Sequence, residues 1–128
     1  MTVSPRALEL TVAAAEAAAD KLADDILAFD VSEQLVITDV FLLASAPNDR
    51  QVKAIVDAIE EALMAKGAKP VRREGTREGR WVLLDYVDIV VHVFADEERE
   101  YYDLERLWRD APRLGWNGSE QAAAGSLD

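Results

Sequence analysis

Two stretches of the chain carry apolar residues at the spacing of an amphipathic helix. The first begins at Ser4, which can cap a helix ahead of Pro5. Its predicted inward face is Leu8, Val12, Ala15, Ala19 and Leu22. The second begins at Asn48 and runs to about Lys66, and Gly67 follows where a left-handed C-cap belongs. Its predicted stripe is Val52, Ile55, Val56, Ile59 and Leu63.

Short runs rich in β-branched and aromatic residues predict the strands. Residues 26–31 and 39–45 precede the second helix, residues 71–75 follow it, and two further strands lie within residues 81–94. Residues 96–108 indicate a short helix or turns. This order predicts the α/β class, with a small mixed β-sheet of about five strands and helices packed on it. Small polar residues after Pro112 divide the chain into one domain, 1–112, and a disordered tail, 113–128.

The segment WVLLDYVDIVVHVF, residues 81–94, indicates a hairpin with a turn at Tyr86–Val87 and Leu84 opposite Ile89. In that register one face is aliphatic and is assigned to the core: Val82, Leu84, Ile89, Val91 and Val93. The other face carries Trp81, Leu83, Asp85, Asp88, Val90, His92 and Phe94. Aromatic and charged residues together are typical of a binding surface. The alternative is that a later segment of the chain covers this face.

The charge balance indicates the kind of partner. The chain has 25 Asp and Glu against 14 Lys and Arg, a formal net charge of -11. Nucleic-acid phosphates and anionic membranes repel such a protein, so we expect a basic protein partner and no sequence-specific nucleic-acid binding. No apolar run reaches the roughly 20 residues that span a bilayer. The first residues lack the pattern of a signal or transit peptide, so the expected location is the cytoplasm.

Candidate chemistry is sparse. One histidine and no cysteine argue against a catalytic zinc site, and no nucleophile elbow, Walker loop or dinucleotide motif occurs. We therefore predict no catalytic residue, no metal and no cofactor. His92 is expected to be a packed, hydrogen-bonded histidine, with partner contact as the alternative. The rival hypothesis is an enzyme that uses Asp39, Asp85, Asp88 and magnesium, although carboxylates beside a turn more often cap it.

Several segments resemble the ribosomal silencing factor family, which is related to the plant Iojap protein. They are DKLADDILAFDVSE, ITDVFLLASAPNDRQVKAIVDAIE, WVLLDYVDIVVHVF and REYYDLERLW followed by Asp110, Ala111 and Pro112. The resemblance implies a domain of nucleotidyltransferase-like topology that is not known for catalysis. It also implies binding to the large ribosomal subunit through its ribosomal protein fourteen. The bound factor would block joining of the small subunit and lower translation when nutrients are scarce, and the free factor would form a homodimer.

Two details of this resemblance bear on the site. The Gly-Ser loop and Asp-x-Asp pair of nucleotidyltransferases are absent, which weakens the enzyme hypothesis. The family usually has glycine at the position of Val87, and a β-branched residue resists the positive φ of a tight hairpin turn. Residues 85–88 are therefore expected to form a looser loop.

The leading hypothesis is a translational repressor that is not an enzyme. Its predicted contact residues on the hairpin are Trp81, Leu83, Asp85, Asp88, Val90 and His92. The residues predicted to extend this surface are Tyr101, Tyr102, Asp103, Glu105 and Trp108. A third hypothesis is a dimeric scaffold with another basic partner.

Overall fold

A mixed sheet of six strands organises the chain. The computed structural model describes residues 3–103, 106 and 110–115. Its elements are α1 Pro5–Asp20, β1 Asp24–Asp30, β2 Val40–Ala46, α2 Asp49–Ala65, β3 Arg72–Glu74, β4 Trp81–Asp85, β5 Ile89–Ala95, α3 Asp96–Tyr102 and β6 Arg113–Leu114. The strand order is β3-β4-β5-β2-β1-β6, in which β2 and β5 are parallel and the other neighbours antiparallel. The predicted mixed α/β class is confirmed.

The strand that the sequence pattern missed is β6, which has two residues. It pairs with β1, so that Leu114 lies opposite Ala28 and Arg113 opposite Phe29. Two residues are too few to show a hydrophobic period, so the pattern gives no signal for this strand. The sheet therefore extends past residue 112, where the predicted tail begins. Residues 116–128 of that tail lie outside the described residues.

Both long helices begin at the residues that the sequence marks. The Ser4 hydroxyl accepts the N–H of Ala7 at 3.0 Å, and the Asn48 side chain accepts the N–H of Gln51 at 2.9 Å. These bonds satisfy N–H groups that the first turn of a helix leaves unpaired. Gly67 follows α2 with a φ of 81°, the left-handed conformation predicted for it. Capping chemistry that is readable in the sequence therefore sets these boundaries.

The predicted stripe of α2 is confirmed, whereas that of α1 is wrong. In α2 the buried residues are Val52, Ile55, Val56, Ile59 and Leu63. In α1 they are Ala7, Leu10, Thr11, Ala14, Ala15 and Ala18. Of the predicted α1 face only Ala15 is buried; Leu8, Val12 and Ala19 are partly exposed, and Leu22 is 77% exposed beyond the helix end. Helix α1 contacts both α2 and the sheet. Its small alanine side chains let the helix pack more closely there than the larger Leu8 and Val12 would.

The two sheet faces differ in what covers them. Helices α1 and α2 pack on one face and enclose the main core. The hairpin contributes to this core the residues predicted for it: Val82, Leu84, Ile89, Val91 and Val93, all fully buried. The opposite face has a smaller core of Phe29, Val31, Leu43, Phe94 and Ala111. No helix in the described part of the chain is long and apolar enough to cross a membrane.

The hairpin of β4 and β5 has the predicted faces in a different register. Leu84 lies opposite Val91, and not opposite Ile89 as predicted. Every pair is shifted by the same two residues. Side chains alternate between the faces of a strand, so a shift of two residues keeps each side chain on its predicted face.

This shift occurs because the turn is centred one residue later than predicted, on Val87 and Asp88. The Tyr86 N–H donates to the Ile89 carbonyl at 2.9 Å, and Tyr86 is 6% exposed. Burial of this large side chain favours the hydrogen bond that joins Tyr86 to Ile89 between the strand ends and the turn. Val87 then takes a φ of 71°, at the first central position of a two-residue turn. The expected looser loop is therefore not formed, and a β-branched residue adopts a strained conformation.

We predict that Val87→Gly stabilises the protein by up to about 1 kcal/mol, because glycine adopts positive φ without the steric cost. Equilibrium unfolding in urea measures the effect. The control is Val71→Gly, since Val71 is also exposed but has no positive φ. This control should lose stability through the added freedom of its unfolded chain. A Val87→Gly protein that is less stable than the wild type would contradict the strained turn.

Candidate functional site

The sheet face away from α1 and α2 brings together four of the six contact residues predicted on the hairpin. In the hairpin, Trp81 lies opposite Phe94 and Leu83 opposite His92. Strand β2, which is parallel to β5, adds Phe41, which was not among the predicted contact residues. We name this group the aromatic face: Phe41, Trp81, Leu83, Val90, His92 and Phe94. Its central strand is buried, whereas Phe41, Trp81 and Leu83 are partly exposed.

His92 lies at the centre of the aromatic face. Its ring centroid is 5.2 Å from that of Phe41 and 6.1 Å from those of Trp81 and Phe94. The Trp81 and Phe94 rings stack on each other at 5.1 Å. These separations are typical of favourable aromatic pairs. The rings therefore hold one another in place within the free protein.

A hydrogen bond joins the only histidine of the chain to Trp81. Trp81 Nε1 donates to His92 Nδ1 at 3.1 Å. Because Nδ1 accepts, the proton of the neutral imidazole is on Nε2. Burial lowers the pKa of His92 to about 4, so the ring is neutral near pH 7. The predicted packed, hydrogen-bonded histidine is confirmed, and its contact with a partner stays a prediction.

The second nitrogen of His92, Nε2, is buried and has no hydrogen-bond partner in the part of the chain that the structure describes. A buried donor without an acceptor costs about 1–3 kcal/mol. Natural proteins retain few such groups, and those they retain often lie at functional positions. The aromatic face thus combines partly exposed rings with a polar group that the described fold leaves unpaired.

The predicted carboxylates lie where the hairpin turns. Asp85 Oδ1 accepts the N–H of Val87 at 2.8 Å, and Asp39 Oδ2 accepts the N–H of Ser4 at 2.8 Å. Two of the three supposed magnesium ligands therefore bind backbone groups. Within the described residues, no group of three or more Asp, Glu or His residues is placed to hold a metal ion. The geometry does not assemble the site that the enzyme hypothesis requires.

Of the residues predicted to extend the contact surface, Asp103 is the one whose side chain is described, and it lies toward the other end of β5. Asp103 is exposed after α3 and lines an acidic cleft with Asp24 and Asp96. The seven residues of β5 separate this cleft from the hairpin turn. The structure therefore does not bring Asp103 together with Asp85 and Asp88. The side chains of Tyr101 and Tyr102, and all of Glu105 and Trp108, lie outside the described residues.

Comparison with known proteins identifies the family. Residues 4–126 match the family model described as ribosomal silencing factor during starvation. Ribosomal silencing factor RsfS of Bacillus subtilis is 46% identical over 99 residues, which cover 77% of this chain and 84% of that protein. The chloroplastic protein Iojap of Zea mays is 31% identical over 104 residues, covering 81% of this chain and 45% of that protein.

The fold is shared as well. A crystal structure of a Chromobacterium violaceum protein has a TM-score of 0.77 and 35% identity, and the match covers 84% of this chain and 87% of that one. A Bacillus halodurans crystal structure has a TM-score of 0.73 and 35% identity, covering 88% and 99%. The chain belongs to the ribosomal silencing factor family. Its relatives are named for a regulatory role and not for catalysis.

We predict that acid destabilises the protein through His92. The unfolded histidine takes up its proton near the ordinary pKa of 6.5, whereas the folded one does so only near 4. Since the pKa of His92 is lowered in the folded protein, the stability that the neutral ring contributes is fully present above pH 6.5. It declines as the pH falls toward 4. The loss is roughly 3 kcal/mol at most. Protonated Nδ1 also no longer accepts from Trp81.

The free energy of unfolding in urea, measured from about pH 7 to about pH 4.5, tests this linkage. His92→Gln is the control, because glutamine is polar and does not titrate. The wild type should lose more stability than the variant over this interval. The comparison removes the contribution of the acidic side chains, which both proteins share. Parallel stability curves for the two proteins would contradict the prediction.

Proposed function

We propose that this protein is a translational repressor that binds the large ribosomal subunit and prevents the small subunit from joining. Under nutrient limitation this binding would lower translation. The observation that carries the proposal is the family match over residues 4–126, together with relatives named ribosomal silencing factors. The protein would act by occupying space on the joining face, which requires no reaction at the bound surface.

The partner proposed on the subunit is its basic ribosomal protein fourteen. A formal net charge of -11 makes ribosomal RNA an unfavourable contact for this chain. A basic protein offers lysine and arginine side chains that can pair with Asp88 and compete for Asp85 with Arg72, which lies 3.8 Å from it. These attractions raise the association rate, and the negative charge elsewhere opposes docking on neighbouring RNA.

The aromatic face is the surface proposed for this contact. Trp81 is partly exposed, stacks on Phe94 and donates to His92. Tryptophan residues carry a large share of the binding energy in many protein interfaces. A side chain that is already fixed loses little conformational entropy on binding, which favours affinity. We also propose that the free protein is cytoplasmic, where it meets ribosomes, and forms a homodimer.

We predict that Trp81→Ala and Asp85→Lys each weaken binding to purified large subunits by tenfold or more, as expected when a central anchor or a paired charge is lost (about 1.4 kcal/mol per factor of ten). Co-sedimentation with the subunits measures the binding. Asp57→Lys makes the same charge change on the exposed side of α2, away from the aromatic face, and should bind as the wild type. Circular dichroism verifies that each variant is folded. If both hairpin variants co-sediment as strongly as the wild type, the interface lies elsewhere on the protein.

We predict that added protein lowers the yield of joined ribosomes from purified subunits, because an occupied joining face excludes the small subunit. A sucrose gradient separates free subunits from joined particles and shows where the protein migrates. The Asp57→Lys protein should act like the wild type, and Trp81→Ala should have much less effect. Normal joining in the presence of bound wild-type protein would refute the steric mechanism.

A further inference from the structure

Exposed aliphatic side chains gather at one end of the sheet. Val36 is 85% exposed, Ile37 72%, Val71 68% and Val87 38%. We name these four residues the apolar rim. Within the described residues, the only other large apolar side chains with comparable exposure are Leu22 and Met64. Scattered exposed apolar residues are ordinary, but a group of them in neighbouring loops is typical of an interaction surface.

Backbone hydrogen bonds join the loops that carry the apolar rim. The Val71 N–H donates to the Asp85 carbonyl at 2.7 Å, which fixes the loop before β3 to the end of β4. The Asp39 N–H donates to the Asp88 carbonyl at 2.8 Å, which fixes the β1–β2 loop to the β4–β5 turn. The strands that end here lie about 5 Å apart. The three loops therefore form one continuous edge of the sheet.

The charges along this edge indicate the occupant. Asp39 and Asp88 accompany Ile37 and Val87 on this edge, whereas Arg72 follows Val71 and lies 3.8 Å from the Asp85 carboxylate. The acidic excess of the edge is therefore at Asp39 and Asp88, and the chain as a whole has a net charge of -11. An apolar centre with acidic neighbours complements a protein surface that carries aliphatic groups flanked by lysine or arginine. Nucleic acid and anionic lipid supply negative charge, which this edge would repel.

We propose that the apolar rim is a second contact surface for the basic ribosomal protein that docks on the aromatic face. The two surfaces are continuous along β4, where Leu83 and Asp85 lead from Trp81 to the turn that bears Val87. The inference rests on the proposed function and extends it, since it places the edge of the bound partner at the hairpin turn. The acidic cleft beside α3 would then remain outside the contact.

The test is a double variant, Val36→Ser with Ile37→Ser, assayed for binding to purified large subunits. Both side chains are exposed, so the fold should persist while the dissociation constant rises about tenfold. The control is Leu22→Ser, an equally exposed apolar residue at the opposite end of the sheet, which should bind as the wild type. If the double variant does not fold, Val71→Lys replaces it. This lysine would face a basic partner and weaken binding, whereas Val71→Glu would not.

Each contrary result has a distinct meaning. The rim variants could bind large subunits as tightly as the wild type while Trp81→Ala fails to bind. That result would overturn the proposed role of the apolar rim and leave the proposed function standing. Failure of the wild type to bind large subunits would overturn both. Flotation of the wild type with anionic vesicles that the double variant abolishes would replace the protein partner by a lipid surface. A double variant that no longer forms a dimer but still binds large subunits would show that the rim contacts a second copy of this chain and not the ribosomal protein.

Discussion

The burial of β5 on both of its sides is the constraint on which the rest of the structure depends. All seven of its residues are buried, and β4 and β2 flank it. Strand alternation then places Val91 against the helices and His92 on the opposite side. A displacement by one residue would put the imidazole under α2 and valines in the places of His92 and Phe94, so the register is strongly specified. The two different faces of the sheet follow from this strand.

On the aromatic face this constraint buries the histidine. Burial lowers the pKa of His92 to about 4, and its Nδ1 is already occupied by the Trp81 N–H. A general base needs a pKa near the working pH and an accessible nitrogen, and His92 has neither. The same arrangement gives the partly exposed tryptophan a fixed orientation. A surface of this kind is suited to recognition, in agreement with a family named for regulation.

The sequence predicted the features that depend on local chemistry. The caps at Ser4 and Asn48, the stripe of α2 and the two faces of the hairpin all follow from side-chain type and spacing. The register failed because it depends on the burial of Tyr86, which tertiary packing decides. The α1 face failed because its alanines make the close contact with α2 and the sheet. Phe41 was missed because it reaches the aromatic face through a parallel pairing between strands distant in sequence. The contact residues themselves remain predictions, because a surface and its partner are not specified by one chain alone.

The apolar rim also has a consequence for the protein when it is alone. Side chains such as Val36 and Ile37 would favour aggregation in a neutral molecule, since exposed aliphatic groups adhere to one another. Mutual repulsion between molecules that each carry a net charge of -11 opposes this adhesion. Dissolved ions screen that repulsion over a distance of about 8 Å at physiological ionic strength. The acidity of the chain therefore provides colloidal stability to a molecule with an exposed apolar edge.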